Sequence, residues 1–236
     1  MIISMRINKY LSGVGLCSKR QADRLILSGQ VTVNGELAVV GQRVSDQDNI
    51  IVSGQKVNEK PQSVYLLYHK PIGVVCTNDQ TVVGNLVDAI DYPLRLFAVG
   101  RLDKNSEGLL LLTNDGAIFN RILKSENAHE KEYLVDLDQP VTNAFLVEMA
   151  KGVPILETVT LPCRVTKVSE KGFKIVLTQG LNLQIRRMCQ ALGYRVERLQ
   201  RIRIMNLHLA SLNPGEYREL SIQEINALQA ELSGSV

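Results

Sequence analysis

The sequence predicts an α+β fold, a mixed and largely antiparallel sheet flanked by helices, preceded by a small separate module. Three observations carry this prediction. Strand-like runs outnumber helical ones, the two kinds do not alternate in the βαβ manner, and turn signals punctuate the strands. With 236 residues and 45% apolar content, the chain can bury one ordinary core and still support an appended unit.

The first module reads as two short helices followed by strands. Ile7, Tyr10, Leu11 and Val14 recur at helical spacing, and Gly13 and Gly15 punctuate the end of that helix. Ser18-Lys19-Arg20-Gln21 fits an S-x-x-Q capping box that opens a second helix, with Ala22, Leu25 and Ile26 inward and Gly29 as the stop. Val31-Thr32-Val33 then meets Asn34-Gly35, the signature of a tight hairpin turn. On this scheme Lys9, Lys19, Arg20 and Arg24 lie on exposed helix faces.

A polar stretch with a proline, Asn58–Ser63, suits a linker and divides the chain into 1–62 and 63–236. Beyond it, strands are expected at 64–68, 73–77, 95–99 and 108–113, the last a continuous apolar run of buried type. Helices are expected at 116–124, 143–151 and 183–192, and further strands at 130–137, 153–168, 172–178, 195–209 and 216–219. Ser221-Ile222-Gln223-Glu224 forms another capping box, opening a C-terminal helix.

Charge is more telling in its distribution than in its total of +3. Residues 1–62 hold eight basic and five acidic groups, whereas the remaining 174 residues hold 19 of each. Within that balanced part, six arginines (186, 187, 195, 198, 201 and 203) face a single acid, Glu197, which suits a polyanion. Two basic surfaces therefore point to nucleic acid. Cys17, Cys76, Cys163 and Cys189 are scattered without a C-x-x-C pair and His69, His129 and His208 lie far apart, so buried thiols are expected and no metal site. The opening MIISMRINKYL lacks the apolar stretch of a secretory signal and no run is long enough to span a membrane, so a cytoplasmic location is expected.

Between two apolar strands, Gly100-Arg101-Leu102-Asp103-Lys104-Asn105-Ser106-Glu107 forms a charge-rich loop. A loop so mounted often carries function, although Asp103 is equally suited to capping a backbone N–H in a turn. The residues alone leave both readings open.

The segment R-I-N-K-Y-L through V-T-V-N-G resembles the S4-type RNA-binding module; a small αβ cap with an ordinary solvated charged face is the alternative. G-R-L-D-x-x-S-x-G-L-L-L-L-T-N-D-G, from Gly100, resembles the active-site motif of the pseudouridine synthases that modify ribosomal RNA. Lys70-Pro71-Ile72-Gly73, Lys131-Glu132-Tyr133 and Gln184-Ile185-Arg186-Arg187 resemble that family's K-P-x-G, K-x-Y and Q-I-R-R motifs, in the expected order. The match is to the RsuA/RluB/RluE/RluF family with an N-terminal S4 domain. Residues 129–133, 152–156 and 201–206 look closest to its RluF type.

The resemblance implies an isomerase acting on 23S rRNA, with a tRNA anticodon uridine as a further candidate. The reaction breaks the N1–C1′ bond of uridine and bonds C5 to C1′ without redox change, so no cofactor is expected. Asp103 is then the catalytic carboxylate. Three courses are open to it: attack on the sugar, attack on the ring, or abstraction of a sugar proton towards a glycal. Arg186 is implied to pair with Asp103 and keep it ionised, with a phosphate contact as the alternative. Ile185 is implied to wall the uracil, or to pack in the core, or both. Tyr133 shares a strand face with Lys131. The resemblance makes Tyr133 the platform for the extruded base, with a core tyrosine as the alternative. RNA contact is further assigned to Lys70, Arg101, Leu102, Lys104, Lys131, Leu183, Gln184 and Arg187, and to Arg6, Lys9, Lys19, Arg20 and Arg24 of the first module. A monomer is expected. Two competing classes stand beside this reading: a non-catalytic RNA-binding or ribosome-assembly factor, and a hydrolytic glycosidase using a second carboxylate such as Glu107 or Asp115.

Overall fold

The computed structural model describes residues 4–57, 61–123 and 129–234, without the side chains of Asn120 and Gly234. Asn58–Lys60 of the expected linker and the last expected residue of the 116–124 helix lie outside the described residues. The chain divides into two compact units. One contains the described residues up to Val64 with Tyr92–Leu96 and Asn114–Gly116; the other contains Tyr65–Asp91, Phe97–Thr113 and Ala117 onward.

In the first unit, helices Ile7–Gly13 and Lys19–Leu27 form as the apolar spacing requires, burying Ile7, Leu11, Ala22 and Ile26. The Ser18 hydroxyl accepts from Gln21 N at 3.1 Å and so caps the second helix. Asn34 (φ 53°) and Gly35 (φ 92°) both adopt left-handed conformations, the geometry of a two-residue hairpin turn joining Val31–Val33 to Glu36–Leu37. These strands belong to a four-stranded sheet with Ile50–Val52 and Gln55–Lys56. Arg6, Lys9, Lys19, Arg20 and Arg24 are all exposed.

The second unit is built on a nine-stranded sheet. Its main order is Arg164–Lys167, Gly172–Leu177, Lys131–Leu137, Val196–Ile204, Glu107–Thr113, Tyr65–Lys70 and Tyr217–Glu219, with Leu207–His208 and Phe97–Val99 paired beside it. Every strand pair is antiparallel except Val196–Ile204 against Glu107–Thr113. All of Glu107–Thr113 is buried, as its unbroken apolar run predicts. One core gathers Val135, Phe145, Met149, Phe173, Ile185 and Met188, with the Phe145 ring edge-on to Phe173 at 5.3 Å. A second gathers Leu67, Leu109, Leu111, Ile118, Ile204 and Leu228.

Three expected strands are corrected. Residues 73–77 form a turn and an isolated bridge, because Gly73 N and Val75 N donate to loop carbonyls of Lys104 and Gly84 instead of to a strand. The run 153–168 breaks into Pro154–Ile155, Thr158–Val159 and Arg164–Lys167, since Leu156 and Glu157 turn at φ 49° and 61°. Met205 (φ 50°) likewise splits 195–209. A short helix, Leu86–Ile90, was not expected; the Asn85 side chain caps it, accepting from Asp88 N at 3.0 Å. Of the cysteines, Cys17 and Cys189 are buried, whereas Cys76 and Cys163 are only partly so.

The capping box at Ser221 and Glu224 forms reciprocally, at 3.2 and 2.9 Å, and Arg218 grips the Glu224 carboxylate with both terminal nitrogens. The Arg218 contact, with help from Ser221, pulls Glu224 from 4.5 down to about 2. A depressed carboxylate stabilises the fold above its unfolded value and loses that contribution as pH falls through the folded one. Glu224→Gln is therefore expected to cost about 1 kcal/mol or less at pH 7, given the partial exposure of the pair. Urea unfolding should show the deficit shrinking as pH drops from above 4.5 towards 2.

Candidate active site

Phe97–Val99 and Glu107–Thr113 pair antiparallel and hold the loop between them at the mouth of a cleft of about 510 Å³. Arg101, Leu102, Asp103, Lys104 and Ser106 line that cleft with Cys76, Tyr133, Gln179, Gly180, Leu183, Gln184, Ile185 and Leu199. The loop is fixed by its carbonyls. Asp103 O accepts from Ser106 N (3.0 Å), Lys104 O from Gly73 N (2.8 Å), Asn105 O from Arg186 Nη2 (2.7 Å) and Ser106 O from Lys70 Nζ (2.8 Å). Four consecutive carbonyls are thus taken by four donors, two of them cationic side chains.

Glycine is required where the loop re-enters the sheet. Gly108 has φ 109°, and a Cβ there would lie 2.3 Å from Arg201 O and 2.6 Å from Arg201 N on the parallel neighbouring strand.

Two expected roles are corrected by this geometry. Lys70 is fully buried and spends its ammonium on Pro71 O and Ser106 O, so it cannot reach an RNA backbone in this conformation. Burial pushes its pKa down, opposed by the charges of Cys76, Asp103 and Glu107. Arg186 makes no ion pair with Asp103; its guanidinium donates to Asn105 O, Val196 O (3.2 Å) and Ser106 Oγ (3.4 Å). It positions the loop that carries Asp103. The Asp103 side chain itself is exposed and has no hydrogen-bond or ion-pair partner among the described residues.

The arginine-rich stretch is not a free basic surface. Arg195 lies near Asp138 and Glu197, Arg198 pairs with Glu107 at 2.6 Å, and Arg203 pairs with Glu130 and Glu132. Arg187 donates to Asn182, and Arg201 is buried with Nε on Leu109 O. Acids distant in sequence neutralise Arg195, Arg198 and Arg203, which a count along the chain could not reveal.

Helix Gln184–Ala191 starts from Leu183 in a left-handed conformation at φ 52°. Gln184 is buried and turned inward, accepting from Leu181 N at 2.9 Å, which makes it a brace of the cleft wall and not a projecting contact. Ile185 both lines the cleft and packs into the first core. Arg101 and Lys104 are exposed at the cleft, and Leu102 is a buried wall residue.

Tyr133 and Lys131 share one strand face and both line a second cleft of about 410 Å³, which has Cys76, Arg101, Tyr133, Gln179 and Gly180 in common with the first. Burial and the Arg201 charge push Lys131 down from 10.5 to about 8. Asp103 is the only acid among the described lining residues of either cleft. Glu107 is bound to Arg198, and neither it nor Asp115, the second carboxylates a hydrolytic glycosidase could use, is among the described lining residues of either cleft. Asn105, Ser106 and Arg201 were not separated out from the sequence as site residues. Ser106 stands in the motif itself, whereas Arg201 was hidden among surface arginines.

Among the described residues no helix is long and apolar enough to cross a membrane, and no group of His, Cys, Asp and Glu could hold a metal. The family described as RNA pseudouridylate synthase matches residues 64–191, and the S4 domain family matches residues 5–50. The chain is 46% identical over 224 residues to the dual-specificity RNA pseudouridine synthase RluF of Escherichia coli (strain K12), covering 94% of this chain and 77% of that protein. It is 33% identical over 234 residues to the ribosomal large subunit pseudouridine synthase B of Bacillus subtilis (strain 168), covering 95% and 96%. A solved structure described as a pseudouridylate synthase matches with TM-score 0.71 at 32% identity, over 95% of this chain and 99% of its own. On the fold, the ordered motifs and these likenesses, the chain belongs to the pseudouridine synthases of RNA, in the branch that carries an S4 domain.

Proposed function

We propose that the chain converts a uridine of 23S rRNA to pseudouridine, with a tRNA anticodon uridine as a second substrate, and that Asp103 is its catalytic carboxylate. The observation that carries the site assignment is Asp103 itself: exposed, unpaired, and the single acid lining a cleft whose loop is held by four carbonyl contacts. The substrate class draws support from the Bacillus subtilis relative, named for the large ribosomal subunit, and from the dual specificity named for the Escherichia coli one.

In this reading the target uridine leaves its stack, because the glycosidic bond is out of reach within a helix. Tyr133 takes the base against its ring, and Ile185 closes the other side of the cleft. Asp103 takes part in breaking the N1–C1′ bond; C5 then bonds to C1′, and the C5 proton leaves to solvent while N1 gains one. Lys70 and Arg186 act through the loop, holding Asp103 in place. Arg101 and Lys104 meet the backbone at the cleft, as does Arg187 at its rim. The two domains, 1–62 and 63–236, divide the work between RNA capture and chemistry.

Mapping pseudouridines in rRNA and tRNA from a strain lacking this protein tests the assignment: loss at one 23S position supports it, and an unchanged map overturns it. The exposed bases of the first module make a separate expectation. Replacing Lys19 and Arg20 by Ala should raise Kd and lower the slope of log K against log salt by about 1.4–1.8, at about 0.7–0.9 per phosphate contact. A filter-binding series from low to high salt reads this directly, and an unchanged slope removes these residues from the RNA interface.

A further inference from the structure

The smaller cleft gathers three cations, of which the buried Arg201 has no role in the proposed reaction. Arg201 is 2% exposed and its Nε is taken by Leu109 O, yet its Nη2 has no partner and the residue lines the cleft. Lys131 lines the same cleft and spends one donor, on His129 O at 3.1 Å. Arg101 lines it too, and no described acid does. A buried guanidinium with an idle donor beside a second cation is costly unless an anion completes the site. Burial first, and then the Arg201 charge, depress Lys131.

We propose that this cleft is a phosphate subsite, in which Arg201 Nη2 and Lys131 Nζ hold a phosphodiester of the RNA strand while the adjoining nucleoside lies against Asp103 in the larger cleft. Two oxygens of one phosphate can accept from a guanidinium and an ammonium together, a charge-assisted pairing that suits these donors. Position supports the RNA occupant. The two clefts share Tyr133, Arg101, Cys76, Gln179 and Gly180, so they adjoin and one strand can pass from one to the other. At about 410 Å³ the subsite is larger than a bare ion needs and fits a piece of backbone. The identity of the occupant rests on the RNA reading above; the anion chemistry does not.

Inorganic phosphate is the probe. At ionic strength matched with chloride, a tenfold excess over its dissociation constant should raise the Tm of the full chain by roughly 3–5 °C. Lys131→Met, which keeps the apolar stem, should lose most of that shift, and Lys131→Gln provides a second variant should the first fail to fold. Phosphate should also raise the KM for a C5-tritiated 23S rRNA transcript in the wild type. No Tm shift and no competition overturns the subsite, even where turnover is normal. A Tm shift that Lys131→Met abolishes, without competition against RNA, keeps the anion site and overturns its RNA occupant. A shift and its loss on mutation in a protein inactive on every RNA would uphold the site while the catalytic reading falls.

Discussion

Replacing Asp103 by Asn is expected to lower turnover on the order of 10³-fold or more while leaving RNA affinity within about twofold of wild type. The two side chains have nearly the same shape, so the change removes charge and nucleophilicity without opening a cavity. Asp103 is exposed and makes no hydrogen bond or ion pair, so the folded state loses only its charge near the Lys70 ammonium. Stability should accordingly stay within about 0.5 kcal/mol. RNA affinity can even rise slightly, since a carboxylate near phosphates repels them. Single-turnover kinetics alongside equilibrium binding separate the two effects. Residual turnover near wild type would remove Asp103 from the chemistry, and parallel loss of binding and turnover would make it a binding group only.

The largest effect on stability is expected at Gly108. Ala there has to adopt φ 109° and places its Cβ 2.3 Å from Arg201 O, 2.6 Å from Arg201 N and 2.9 Å from Arg201 C. The strain of the dihedral is of order 1–3 kcal/mol. Displacing a paired strand adds about as much again, giving roughly 2–6 kcal/mol in all. Against a total stability of about 5–15 kcal/mol this is a large fraction, worth a fall of roughly 4–24 °C in Tm at about 2–4 °C per kcal/mol. Gly13→Ala is the matched control, with nothing within 4 Å of the added carbon and an ordinary φ. Thermal unfolding of both variants checks the contrast: a Gly108→Ala protein as stable as Gly13→Ala would mean that the two strands do not approach as described.

Much of the architecture could be read from local pattern. The buried strand at Glu107–Thr113, the Asn34-Gly35 turn and the capping box at Ser221 each follow from short-range rules and each forms, and at Ser18 the N-cap half of the box forms. The misses share a cause. Leu156-Glu157 turn in left-handed conformations without a glycine or asparagine to announce them, and at Met205 the left-handed residue precedes the turn's Asn206, so the pattern predicts continuous strands where hairpins occur. At the site, Asp103 lines the larger cleft, Lys131 the smaller and Tyr133 both. Partner choice was harder to read. Lys70 and Arg186 carry charges that suggest RNA or carboxylate partners, but their actual partners are backbone carbonyls of the Asp103 loop. Such contacts involve no particular side-chain type at the receiving end, and so leave no trace in sequence. The same holds for the acids that neutralise Arg198 and Arg203, which come from other strands of the sheet.

The central claim, an Asp103-dependent isomerisation of uridine in RNA, is tested most directly by release of tritium from C5-tritiated uridine in 23S rRNA and tRNA transcripts. The account predicts stoichiometric release with the wild-type protein, the uracil retained in the RNA as pseudouridine, and no release with Asp103→Asn. Release of free uracil, or tritium release that persists in Asp103→Asn, would contradict it.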